Sequence, residues 1–347
     1  MFVYILLVII STIIFISHIY VENEKVNKIT TFFWVLLMTV FVGSQDGMGN
    51  DYNNYITQIN TPWIIPTEPF TILNFYLIRI YNLPVYTIFY VYAFLTYFFL
   101  SRSILLTTKS SRFLVLIMIF QTGLFFQSFN VIRQILSCSI YLYGVLLLNT
   151  NNRGWKYLIG ACLVHYSAVF GILIFLLSRK IRLNAIVFFV FLISLVLLSV
   201  GGFVPYIISL IKLVIKFTPY AIYLDSDHLL SNHNVGLGVV YFCTAILCCL
   251  VYLSRDYFMS RYGNLLTLFF IGIILYNLLS ANVTMQRIVY YPYYVIIVII
   301  PLWVNTVSCS HRSRAALFIY MLFFVFFLSY INSSNCPFVQ YRSILFS

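Results

Sequence analysis

Acidic side chains are scarce in this chain. Only 8 Asp and Glu stand against 20 Lys and Arg, and charged residues of every kind make up 8% of its 347 positions. A water-soluble domain carries about a quarter of its residues as Asp, Glu, Lys or Arg, so too little polar surface is present to cover a soluble globule. Each of the eight acids (Glu22, Glu24, Asp46, Asp51, Glu68, Asp225, Asp227, Asp256) falls outside the long apolar runs. Coupled carriers commonly place a carboxylate within the membrane as a relay or ion ligand, and the lack of one argues against that class. The 7 cysteines are odd in number and form no C-x-x-C, which argues against a disulfide framework or a zinc site. Glycines are too sparse and wrongly spaced for a P-loop or a dinucleotide fingerprint.

What the chain does have is apolar length: 62% hydrophobic residues and a mean hydropathy of +0.98. A bilayer core of about 30 Å requires roughly 20 apolar residues per helix. Runs of that kind occur at about 2–19, 30–43, 84–101, 113–129, 132–149, 184–202, 237–253, 263–279, 288–305 and 315–331, with two further apolar stretches at 69–82 and 157–177. The expected fold is an all-α integral membrane protein of about 10–12 transmembrane helices forming one domain over 1–347. Lys25 and Lys28 follow the first run and no basic residue precedes it, so its N-terminus is expected outside and the helix is retained.

The stretch 157–177 decides the topology downstream. If it crossed fully, Arg179, Lys180, Arg182, Arg255, Arg261, Arg312 and Arg314 would lie outside, against the positive-inside bias. A re-entrant segment or a pair of half-helices around His165 keeps them inside. Broken backbone at that depth requires a protein or water-filled surrounding, so a cavity is expected near His165. The outer side then carries loops at about 44–69 and 203–236, the second with an amphipathic pattern that includes Lys212 and Lys216. The net charge of +12 is mostly topology and implies no nucleic-acid partner.

A few polar residues stand where topology does not require them. Asn130, Arg133, Gln134 and Ser137 are spaced i, i+3, i+4, i+7, as are Arg287, Tyr290, Tyr291 and Tyr294, so each set is expected on one helical face. Two arginines entering the outer side from different hairpins suit a pyrophosphate, because a guanidinium offers a fixed fork of donors and keeps its proton. Snorkelling to lipid headgroups is the alternative for each. His165, at the expected break, belongs to the residue type that exchanges a proton near neutral pH, and it is a candidate general base beside the alternative of a packing histidine. Asp51, Tyr52 and Glu68 in the first outer loop are candidates to contact sugar hydroxyls or to serve as base, with a plain solvated loop as the alternative. Asp225-Ser-Asp227 has oxygen ligands of the sort a divalent cation takes, but one short acidic cluster is weak support and no metal or other cofactor is expected.

Taken in order, Asp51-Tyr52 with Tyr55, Glu68-Pro69-Phe70, Arg133-Gln134, His165-x-Ser167-Ala168, Arg287 before a tyrosine-rich run, and Pro337-Phe338-x-x-Tyr341-Arg342 resemble the EpsG-like group of Wzy polysaccharide polymerases over about 50–342. Ser44-Gln45-Asp46 departs from the arginine-containing form usual there. The resemblance implies a GT-C-like glycosyltransferase of the bacterial inner membrane with its site facing the periplasm. It would move a growing O-antigen-type glycan from undecaprenyl pyrophosphate onto a new lipid-linked repeat unit, inverting the anomeric carbon. The lipid-linked oligosaccharide would be both donor and acceptor, with membrane lipid and a chain-length regulator as further partners. On that reading His165, Asp51 or Glu68 is the base. Arg133, Gln134, Arg287, Asn130, Tyr52, Tyr290, Tyr291 and Tyr341 hold the pyrophosphate and sugars. The alternatives are a flippase or exporter of the same lipid-linked sugar, and an O-antigen ligase.

Overall fold

The computed structural model describes residues 2–49, 51–61, 63, 66–150, 153–200, 239–279, 283–307, 309–331 and 340–345. The expected outer segment 203–236, with Lys212, Lys216, Asp225 and Asp227, lies outside the described residues, as does Pro337-Phe338.

The protein is an all-α, multi-pass membrane protein. Among the described residues seven helices are long and apolar enough to cross a bilayer. In chain order the helices are α1 (Phe2–Tyr20), α2 (Glu24–Gly43), α3 (Tyr52–Asn60), α4 (Pro69–Ile80), α5 (Thr87–Leu106), α6 (Lys109–Gln121), α7 (Leu124–Asn130), α8 (Ile132–Thr150), α9 (Trp155–Val164), α10 (Ala168–Lys180), α11 (Ala185–Val200), α12 (Val239–Leu253), α13 (Arg255–Leu279), α14 (Val283–Tyr293), α15 (Ile296–Thr306) and α16 (Cys309–Ile331). They fall into two compact units, Met1–Ala168 with Ile300–Ser347, and Val169–Ile299.

In the first unit α2, α5, α8 and α9 pack side by side, with α1, α6, α7 and α16 around them. Helix α8 is the core: nearly every side chain from Ile132 to Leu148 is buried. Its fit against α9 depends on Gly154, because a Cβ there would sit 2.0 Å from the Gly144 carbonyl oxygen. Trp34 of α2, fully buried, packs edge-on against Phe15 and Tyr97 and donates to the Ser11 hydroxyl at 3.0 Å. That bond satisfies the one polar atom of a large side chain in an apolar core. The outward faces of α1 and α2 expose Ile9, Ile13, Ile29 and Phe33, an arrangement suited to lipid and costly in water at about 25 cal/mol per Å².

The second unit is built on aromatic contacts. Phe188 of α11 stacks on Tyr252 of α12 at 3.9 Å, Phe191 meets Phe270 of α13 edge-on, and Asn277 donates to Ser194 at 2.9 Å. Tyr276 stacks on Tyr293 at 4.3 Å and accepts a hydrogen bond from Gln286.

Several expected runs are interrupted. The run 113–129 divides into α6 and α7, bent by 47°. At Val131 (φ −95°, ψ 57°) the chain breaks again, so Asn130 belongs to α7 and the helical face expected to include it is reduced to Arg133, Gln134 and Ser137. The run 288–305 forms one span over Gln286–Thr306, with a two-residue turn at Tyr294–Val295 inside it, and the Tyr294 amide still bonds the Tyr290 carbonyl at 2.9 Å. The stretch 157–177 forms two short helices, α9 and α10, separated at His165, whose backbone is extended (φ −155°, ψ 120°). The first outer loop is partly ordered as α3, and the stretch 69–82 contains α4. Arg79 of α4 donates to the carbonyls of Gln58, Ile59 and Thr61 at the end of α3. A cation there satisfies orphan carbonyls and complements the helix dipole.

Candidate active site

Three expected residues from three distant parts of the sequence meet in the first unit. Arg133 is the second residue of α8. Glu68 immediately precedes α4, and Pro69 after it restricts Glu68 to the extended backbone it adopts (φ −81°, ψ 131°). His165 sits at the break after α9, where its amide still bonds the Ala161 carbonyl. Arg133 Nη1 donates to Glu68 Oε2 at 2.7 Å, and His165 Nδ1 lies 2.9 Å from Glu68 Oε1. The Glu68 side chain is 5% exposed, His165 17% and Arg133 25%. Both carboxylate oxygens are therefore engaged, and both partners are partly exposed.

Glu68 occupies the N-cap position of α4 but makes no capping bond with its side chain. A side-chain cap typically contributes about 1 kcal/mol, and here the carboxylate is directed to Arg133 and His165 instead. Burial pushes its carboxyl pKa up, but the hydrogen bond from His165 and the charge of Arg133 outweigh burial and hold it below the usual carboxylate range. Glu68 is thus ionised at neutral pH, and an ionised carboxylate only accepts. His165 must then place its ring proton on Nδ1, so that in the neutral ring the lone pair is on Nε2.

Arg133 is oriented from a second side. Its Nε donates to the Tyr55 hydroxyl at 3.4 Å, and its guanidinium lies 5.4 Å from the centroid of that ring. With Nε and Nη1 taken and Nη2 making no hydrogen bond among the described residues, the fork has one edge available to an anion. Neighbouring contacts hold the frame: Ser137 of α8 donates to the Ala161 carbonyl of α9 at 2.7 Å, and Thr71 of α4 bonds Tyr92 of α5 at 2.8 Å.

The other expected site residues are placed differently. Asp51 comes close through its backbone: its amide donates to Asn130 Oδ1 at 3.1 Å. This docking follows from Gly49, whose positive φ of 77° brings the chain within about 3 Å of the Asn130 backbone where a Cβ would stand. Among the described residues the Asp51 carboxylate makes no ion pair, so it is not part of the Glu68 cluster. Tyr52 is stacked on Phe89 at 4.7 Å and donates weakly to Asp46 at 3.4 Å. Gln134 is buried beside Arg133. Tyr341 is stacked on Phe41 at 4.3 Å and bonds the Phe41 carbonyl and the Ser44 hydroxyl. A β-bridge of Gln45 with Ser343 ties this tail segment to the first outer loop, with the Asp46 amide on the Arg342 carbonyl and the Ile344 amide on the Ser44 carbonyl. Tyr341 therefore braces the fold at that loop. Arg287, half-buried, and Tyr290 and Tyr291, both buried, belong to α14 of the second unit.

Two residues without an assigned role emerge beside the cluster. Tyr55 orients Arg133, as described, and Tyr166 donates through its hydroxyl to the Thr67 carbonyl at 2.7 Å. Neither contact has a local sequence signature, since each joins residues remote in the chain. Among the described residues no three His, Cys, Asp or Glu side chains gather as metal ligands do.

The fold and the cluster together define a polytopic helical membrane protein with a carboxylate-braced histidine and an oriented arginine sharing one site. Comparison with known families sharpens that class. The EpsG family model matches residues 28–343, and the chain belongs to the EpsG family. That family is related to the Wzy-type polymerases, and membership supports a membrane polysaccharide-polymerase-like role of glycosyltransferase type. Neither a curated protein nor a solved structure matches the chain.

Proposed function

We propose that the protein polymerises a lipid-linked oligosaccharide, transferring a growing O-antigen-type glycan from undecaprenyl pyrophosphate onto a new lipid-linked repeat unit. The observation that carries the reading is the Arg133–Glu68–His165 cluster: one group suited to take a proton and one suited to bind an anion, held by the same carboxylate. A hydroxyl of the acceptor sugar attacks the anomeric carbon of the donor, and its proton passes to Nε2 of His165. The new carbon–oxygen bond forms as the bond to the pyrophosphate breaks, and the bonding electrons leave with the pyrophosphate. Direct displacement inverts the anomeric carbon. Arg133, through Nη2, stabilises the developing negative charge, and Arg287 of the second unit keeps the anion-binding role read from its sequence. Glu68 fixes the histidine tautomer and stabilises the imidazolium, as a carboxylate does behind a catalytic histidine. Tyr52, Asn130, Gln134 and Tyr341 of the first unit are assigned to sugar and pyrophosphate binding with Asp51 the alternative base, and Tyr290 and Tyr291 of the second unit carry the same binding assignment from their sequence pattern. The reaction is assigned to the periplasmic face of the inner membrane, with a chain-length regulator as a further partner.

The test is a surface-glycan gel of a strain lacking the gene, complemented with Arg133→Ala, His165→Ala or Arg287→Ala. Loss of the ladder with single repeats retained on the cell surface is expected. Lipid-linked units trapped on the cytoplasmic face would overturn the reading in favour of a flippase or exporter. Loss of single repeats and ladder together, with polymer accumulating on its lipid carrier, would favour a ligase.

A further inference from the structure

The chain break after α9 holds the turn before α4 at two adjacent points. His165 bonds the Glu68 carboxylate at 2.9 Å, and the next residue, Tyr166, donates to the carbonyl of Thr67, the residue before Glu68, at 2.7 Å. The two dipeptides are thus paired residue against residue, 165 with 68 and 166 with 67. One contact fixes the carboxylate relative to the imidazole, and the other fixes the backbone from which that carboxylate projects. Downstream, Pro69 fixes the backbone at Glu68. Upstream, Thr67 is exposed, and the Tyr166 hydroxyl is the side-chain contact that holds its carbonyl. Tyr166 itself keeps 36% of its surface exposed, so its ring is not part of the packed core. Its conformation is one that a core-packing role would not require.

We propose that Tyr166 is a positioning residue for the reaction, setting the Glu68 carboxylate against Nδ1 of His165 through the Thr67 carbonyl. The inference rests on the polymerase reading and deepens it. Hydrogen bonds between a base and its orienting group act through geometry, and displacement by about 1 Å at such a site costs on the order of a hundredfold in rate. A phenylalanine keeps the ring and removes only the hydroxyl, so Tyr166→Phe isolates the contact.

Two measurements on the purified full chain in lipid nanodiscs test this. The first is carbodiimide labelling of Glu68, read by mass spectrometry. In the parent protein Glu68 is buried and doubly bonded and labels slowly, whereas in Tyr166→Phe it is expected to label several-fold faster with the melting temperature unchanged. The second is chain extension with lipid-linked repeat units extracted from the deletion strain. There kcat is expected to fall about tenfold or more, while KM changes less than about twofold. Unchanged labelling overturns the positioning role, and so does faster labelling with an unchanged kcat. A loss in KM alone assigns Tyr166 to substrate contact and also overturns it. If the parent protein extends nothing while labelling behaves as expected, the polymerase reading fails and takes the catalytic part of this inference with it.

Discussion

The first unit places one carboxylate between two basic side chains at each of its ends, and the two arrangements differ in every respect that matters for chemistry. Glu24 faces Lys109 at 3.4 Å and Arg112 at 3.5 Å, and its side chain is 46% exposed. Glu68 faces Arg133 at 2.7 Å and His165 at 2.9 Å and is 5% exposed. The contacts of Glu24 are long, its own carboxylate and Lys109 are solvated while Arg112 is 6% exposed, and both partners are permanently charged. The contacts of Glu68 are short and shielded, and one partner belongs to the residue type that exchanges protons near neutral pH. The Glu24 end lies among the basic residues that the positive-inside bias assigns to short loops (Lys25, Lys28, Lys109, Arg112, Arg312). Membrane insertion accounts for its charges, whereas nothing in insertion accounts for those at the Glu68 end.

The comparison breaks most directly at Glu68. Glu68→Gln keeps the shape of the side chain but leaves Arg133 without its counter-charge and lets the His165 ring take either tautomer. Chain extension is expected to fall by at least about a hundredfold. Loss of one partner from a buried pair also destabilises the fold, by roughly 2–3 kcal/mol once the partial exposure of Arg133 is allowed for. Ladder formation on a gel and melting of the purified protein measure the two effects separately. A variant that extends chains like the parent would reduce the Glu68 cluster to the status of its counterpart.

Acid sharpens the same contrast. The folded-state pKa of Glu68 lies below its ordinary value of 4.5. Its contribution to stability is therefore fully present above about pH 4.5 and is lost as pH falls through the depressed folded value. The gap in melting temperature between the parent and Glu68→Gln is expected to close as pH falls below about 4.5. A gap that does not depend on pH would show that the variant acts through packing and not through charge.

These contrasts were only partly legible in the sequence. The helices α1, α2, α8 and α16 follow from apolar runs long enough to span a bilayer. The separation at His165 was legible too, because a full crossing would have put a string of basic residues on the wrong side. The break at Val131 was not: no Pro or Gly stands at that position, and it coincides with tertiary contacts, the Asn130 side chain receiving the Asp51 amide and Gly49 packing against its backbone. Glu68, Arg133 and His165 were each recognisable as unusual, but their meeting spans separations of 65 and 97 residues and no spacing rule encodes it. Asp51 carried equal weight with Glu68 by residue type and loop position. What separates them is that Pro69 and α4 aim Glu68 inward, whereas Asp51 docks through its amide. The stretch 69–82 was legible only as a further apolar stretch, and the acceptors of Arg79 within it appear only when the end of α3 is seen beside it.

The smallest expected effect lies at the exposed end. Glu24 joins α2 to the start of α6, and Lys109 also donates to the Glu22 carbonyl at 3.1 Å while Arg112 donates to the Leu105 carbonyl at 3.3 Å. Both basic side chains thus retain a backbone acceptor when the carboxylate is removed, but Arg112 is only 6% exposed and its Nε and Nη1 lack a partner among the described residues, so its charge is left buried while that of Lys109 stays solvated. Exposed ion pairs with imperfect geometry contribute about 0–1 kcal/mol and weaken with salt. Glu24→Gln is therefore expected to leave the glycan ladder unaltered and to lower the melting temperature chiefly through the Arg112 charge left buried, with only the Lys109 part weakening as salt rises. Its like-for-like counterpart is Glu68→Gln, with the same change of residue in the same unit and two basic neighbours in each case. If the two variants lost chain extension to the same degree, burial and partner type would not be what sets the Glu68 cluster apart. A structural requirement for negative charge at both ends would then replace the catalytic assignment.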